Sequence, residues 1–157
     1  MTYLLLKSLH LLSVCLFFGA GICSVFVKLR ADQSGDPQAI VFAHRTLVLA
    51  DWLFTVPSGI ALPVTGLWMV YLAGHDWRGG WVLWGIALYL LAGLCWLPAW
   101  WLQFRMRDAA EAALRDGTPL PPEHRRWTLI WALLGVPAFL ASVAAVWVMT
   151  AKTMFLG

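Results

Sequence analysis

Four long apolar stretches, residues 3–27, 47–73, 81–104 and 127–150, take up most of this chain, and nothing else constrains its fold as strongly. Each is at or above the roughly 20 residues that an α-helix needs to cross a hydrocarbon core about 30 Å thick. Inside lipid every backbone polar group has to find its partner within the segment, so the stretches are expected as transmembrane helices. The fold class is therefore an all-α membrane protein, a four-transmembrane-helix bundle forming one domain over residues 1–157. With 61% hydrophobic and 12% charged residues, the composition leaves no room for a soluble domain of any size.

The connecting segments give an orientation. If the N-terminus lies on one side, the other receives Lys28, Arg30, Arg45, Arg105, Arg107, Arg115, Arg125 and Arg126, and only Lys7, Arg78 and Lys152 stay behind. The basic side is expected in the cytoplasm and both termini in the periplasm, which makes the protein a multi-pass component of a bacterial inner membrane. The same bias accounts for the net charge of +3, and no nucleic-acid partner is implied. The tryptophans agree: Trp52, Trp96, Trp100, Trp101, Trp127 and Trp131 lie toward the basic side, and Trp68, Trp77, Trp81, Trp84 and Trp147 toward the termini, as two interfacial belts.

The first span is longer than a signal-peptide core, contains Lys7 and lacks a small-x-small cleavage site, so it is expected to be retained. Cys15, Cys23 and Cys95 fall inside spans without CxxC spacing and read as small apolar fillers. Between the first two spans Ser34, Gly35, Asp36 and Pro37 form a turn that can cap a helix starting near Pro37. Pro57 and Pro63 are expected to kink that helix. After the third span the helical pattern continues through Arg105 to Arg115 and stops at Asp116-Gly117-Thr118-Pro119.

Polar residues inside spans cost energy unless they face the bundle interior, so their placement is informative. At about 100° per residue, Lys7, His10, Ser13, Phe17, Gly21 and Ser24 share one face of the first helix. His44, Asp51, Thr55, Ser58, Thr65 and Met69 share one face of the second. Tyr89, Gly93, Trp96, Trp100 and Gln103 do so in the third, and Thr128, Trp131, Gly135, Ser142 and Met149 in the fourth. A bundle with a partly polar interior follows.

His10 lies about 10 Å below the surface on the side of the termini, from roughly seven residues at about 1.5 Å each. Two readings stay open: a neutral imidazole hydrogen-bonded to Ser13 or Tyr89, or an axial ligand to a haem iron. For the second, Met69, His75 and Met149 are the further ligand candidates on the correct side, whereas His44 at the start of its span and His124 in the inner loop belong to the opposite face. Near the basic side, Asp51 is two helical turns from His44, and Arg45, Arg105 and Arg107 end nearby. A buried carboxylate there should pair with one of those cations; proton transfer or a divalent-metal site with His44 is the alternative.

The opening Tyr3-Leu4-Leu5-Leu6-Lys7-Ser8-Leu9-His10, the stretch Trp52 to Gly66 with Pro57, the segment Leu94-Cys95-Trp96-Leu97-Pro98, and Gly135-Val136-Pro137-Ala138 followed by Met149 and Lys152 resemble the bacterial domain-of-unknown-function 2269 family of small integral membrane proteins. That resemblance covers nearly the whole chain and implies four spans. The KxxH element Lys7 and His10 is also similar to the start of the small membrane protoporphyrinogen oxidases, a four-helix family associated with haem b. This implies b-type haem on His10 as the metal ligand, with Lys7 meeting a propionate, for electron transfer or haem-linked redox chemistry. Beside it stand a non-enzymatic module that packs on a redox or membrane-protein partner, or on a second copy through Gly19, Gly59, Gly85 and Gly93, and a proton or ion path through Asp51. In every case the lipid bilayer is the first partner.

Overall fold

The computed structural model describes residues 1–152. Four helices account for nearly all of them: α1 Thr2–Ser34, α2 Pro37–Leu72, α3 Gly80–Asp116 and α4 Pro122–Thr150. Among the described residues there is no strand. All four helices are long and apolar enough to cross a membrane. They also overshoot it: α1 has 33 residues, about 50 Å of helix against a core of about 30 Å. Much of the charged sequence therefore belongs to helical extensions at the basic end, and the two connections there shrink to residues 35–36 and 117–121.

Local chemistry fixes those two turns. Gly35 and Gly117 close α1 and α3 at φ 65° and 64°, a left-handed backbone in which a Cβ costs about 1–2 kcal/mol. Asp36 then starts α2, its Oδ1 accepting from the Gln38 N–H at 2.9 Å, with Pro37 at the first helical position.

The two prolines of α2 act in different ways. Before Pro57 the chain winds one π-turn, Asp51–Thr55, in which the Val56 N–H donates to the Asp51 carbonyl. Pro57 has no N–H and its ring crowds the carbonyl four residues back, and a wider turn relieves both problems. The feature expected at Pro57 is thus a bulge ahead of the proline. Pro63 sits inside regular helix, where its missing donor would strand the Gly59 carbonyl; Tyr89 of α3 supplies the substitute, its hydroxyl donating to that oxygen at 2.9 Å. Tyr89→Phe should accordingly lower stability by about 1 kcal/mol, read as an earlier melt of the detergent-solubilised protein.

Packing is strongest within two pairs, α1 with α2 and α3 with α4, and the pairs meet chiefly where residues 37–50 lie on α3 toward the basic end. A cluster of Ala31, Ile40, Val41, Ala43 and Ala110 fills that junction, and Val70, Trp81, Val82 and Val148 close the end of the termini. Large apolar side chains such as Leu4, Leu5, Phe26, Leu94 and Leu133 face outward, as lipid contact requires. Arg105 lies between the rings of Trp101 and Trp127, 5.1 and 5.6 Å from their centroids, and Lys152 lies 4.5 Å over Trp81 at the other end. Cys15 and Cys23 line a shallow apolar groove between α1 and α2 on the outside of the bundle. They are therefore not interior fillers.

Candidate functional site

The polar face expected on α2 is buried along its length: His44, Asp51, Thr55, Ser58 and Thr65 all point into the protein, and Met69 is half-buried. Five polar side chains on one face of one membrane helix are expensive without partners, so where each finds its partner decides the chemistry. Two do so within their own helix. The Ser58 hydroxyl donates to the Phe54 and Thr55 carbonyls, and that of Thr65 to Ala61 at 2.6 Å.

Asp51 opens the π-turn and is 5% exposed. Its carboxylate faces the side chains of Thr55, one helical turn along α2, and Gln103 of α3. Asp51 Oδ2, Thr55 Oγ1 and Gln103 Oε1 are all buried, and among the described residues none has a hydrogen-bond partner. Among the described residues no cation pairs with Asp51, contrary to the expectation. Arg45 Nε instead donates to Glu111 at 2.7 Å, Arg107 pairs with its neighbour Asp108 at 2.7 Å, and Arg105 is held by its two tryptophans. The physical reason is reach: a guanidinium keeps its hydration when it bonds an acid at the helix surface, and Asp51 lies below that surface.

Deeper toward the basic end lies a cluster with two members, Lys28 and His124, that the sequence pattern assigns to connecting segments. Lys28 is helical and 1% exposed, and His124 is buried in the first turn of α4. Lys28 Nζ donates to Asp32 Oδ2 at 2.6 Å and to Thr128 Oγ1 at 3.2 Å, and sits 5.8 Å over the Trp131 ring. Beside it the Nε2 atoms of His44 and His124 approach to 3.0 Å with the rings edge to face. Lys28 and Asp32 are the fixed charges acting on both imidazoles. The missed signal was helical spacing: His124, Thr128 and Trp131 recur at i, i+4 and i+7, and Lys28 and Asp32 at i and i+4.

His10 occupies the other end. Its Nδ1 lies 2.9 Å from Thr65 Oγ1, and with the Thr65 hydroxyl donating to the Ala61 carbonyl at 2.6 Å, the tautomer that fits has Nδ1 as the donor. Nε2 is then the nitrogen with the lone pair. Gly66 makes the approach possible, since a Cβ there would stand 3.2 Å from His10 Cε1. Neither partner expected from sequence holds the ring: Ser13 donates to Leu9 O at 2.8 Å and Tyr89 to Gly59. Lys7 is exposed, and His75 is exposed with its ring edge-on to Trp81 at 5.4 Å. Met149 fills the notch left by Gly85. Among the described residues no hydrogen bond or ion pair joins Lys7, Met69 or His75 to His10, and no group of three His, Cys, Asp or Glu side chains could hold a metal ion. Trp96 and Trp100 stack on each other at 5.0 Å, with Trp52 edge-on to Trp100.

A family model described as a predicted integral membrane protein, DUF2269, matches residues 4–153. No curated protein and no solved structure matches the chain.

Proposed function

We propose that this chain, which belongs to the DUF2269 family of predicted integral membrane proteins, conducts protons through its four-helix bundle, with Asp51 as the carrier. One observation carries the reading: a buried carboxylate at a π-turn whose Oδ2 makes no hydrogen bond among the described residues, and which pairs there with no cation. An unpaired carboxylate deep in a bundle costs several kcal/mol, and ionisable groups facing the interior of a membrane protein mark proton relays and ion pathways. The π-turn supports it, since such bulges concentrate at functional sites. Proton exchange at Asp51 needs polar neighbours, and the side chains of Thr55 and Gln103 lie beside its carboxyl. His44 with His124 lies about 10 Å away toward the basic end, and Thr65 with His10 about 20 Å away toward the termini, from seven and fourteen residues of helix. The basic residues favour a cytoplasmic basic end, with both termini in the periplasm of a bacterial inner membrane. Reconstituted vesicles loaded with a pH-sensitive dye test the reading: they should dissipate an imposed pH gradient faster than empty vesicles, and equal rates overturn it.

A second reading, b-type haem on His10, is favoured by the tautomer that Thr65 imposes. A ligating histidine usually donates its other ring N–H to a fixed acceptor, which is what Nδ1 does here. Nε2 would be the iron ligand and Lys7, one helical turn nearer the N-terminus, would meet a propionate. Haem, when bound, supplies one-electron chemistry. Protein purified from haem-replete cells should then show a Soret band that sharpens on reduction, is lost in His10→Ala and persists in His44→Ala. A folded, colourless wild type that stays colourless after haem is added sinks this reading.

A further inference from the structure

We infer that His44 and His124 form a proton-holding station that feeds Asp51 from the basic end, an inference that rests on the proton-conducting reading above. Their Nε2 atoms lie 3.0 Å apart, and at that distance one nitrogen carries the hydrogen and the other the lone pair. The pair thus holds one proton in a bond that either ring can own. The two rings differ in access. His124 lines a surface cleft of about 230 Å³ with Asp32, Ile40, Leu120, Arg125 and Thr128. His44 is 1% exposed, and among the described residues its Nδ1 is buried without a partner. One imidazole therefore faces the cleft and the other the interior, on the helical face that continues to Asp51 two turns away.

The transfer balances without any added reactant. A proton from the cleft binds His124 Nδ1; the hydrogen on His44 Nδ1 leaves through intervening water to the Asp51 carboxylate, which takes it up; the hydrogen on His124 Nε2 crosses to His44 Nε2. One proton enters, one leaves, and both rings end neutral with the bond between them reversed.

The surroundings favour a proton over a metal ion. Two imidazoles are too few ligands, and among the described residues no third His, Cys, Asp or Glu side chain joins them. A bound metal cation would also face the Lys28 ammonium. The charged groups presented to the pair are Lys28 and Asp32 from α1, paired with each other, and Arg125 at the cleft on α4. Lys28 and Asp32 cancel, so a neutral pair sharing one proton adds no charge to the single positive charge of Arg125 at the cleft.

Full-length protein in dye-loaded vesicles tests the station. His44→Gln and His124→Gln should each slow proton flux at least about tenfold, since glutamine cannot take up and release a proton as imidazole does. Nitrogen-15 NMR of the wild type should show one protonated and one bare Nε2, coupled through the shared hydrogen, and this signature should persist in Asp51→Asn. Wild-type flux equal to that of empty vesicles overturns the proton-conducting reading and the station with it. Wild-type flux that both folded histidine variants retain overturns the station alone. If the variants do not fold, the wild-type spectrum decides: two Nε2 atoms in the same protonation state, uncoupled, contradict the inference.

Discussion

Asp32→Ala should destabilise the protein by about 3–5 kcal/mol, because it strands the Lys28 ammonium in a site where the side chain is 1% exposed. The loss is larger than for an exposed ion pair, which contributes about 0–1 kcal/mol. Lys28 cannot simply turn to water: its stem is enclosed by α1 and α4, and its remaining contacts are the Thr128 hydroxyl and the Trp131 ring. Removing both charges is the control. Lys28→Met with Asp32→Ala should recover most of the stability, since replacing a buried pair by apolar groups of similar volume is often close to neutral. Unfolding in mixed detergent micelles reads both effects. A single mutant as stable as wild type would show that Lys28 is hydrated.

The sequence makes the spans and the polar face of α2 legible for the same reason. Apolar length and a period of 3.6 residues are local properties, and the bilayer enforces them on every helix. His44, Asp51, Thr55, Ser58 and Thr65 could be assigned to one buried face from spacing alone. Lys28 and His124 escape such an assignment, because charge next to an apolar stretch reads as the sign of a connecting segment. The helices run past the hydrocarbon, and beyond it a charged residue can sit in helix and in the core at once. The His44 and His124 contact joins residues 80 apart and depends on how the two helical pairs meet, which no local pattern encodes. The π-turn is a third case. Pro57 announces a disturbance in α2, but whether a kink or one wider turn relieves it depends on packing around Asp51. Asp51 was expected to find an arginine because three lie near it in the sequence; each of the three proved better served at the helix surface.

The larger expected effect on function belongs to Asp51. Its carboxyl is the one ionisable group of the Asp51, Thr55 and Gln103 cluster, so the carboxyl itself, rather than the shape of the side chain, should govern conduction. Asp51→Asn keeps the size and polarity of the residue and removes only its ability to ionise. Asp51→Glu keeps the carboxyl and displaces it by one methylene. Proton flux through vesicles holding equal amounts of folded wild type and each variant separates the two properties. The asparagine variant should fall to the rate of empty vesicles, at least about tenfold below wild type, and the glutamate variant should retain part of the flux. An asparagine variant that is folded and conducts protons at the wild-type rate would contradict Asp51 as the carrier.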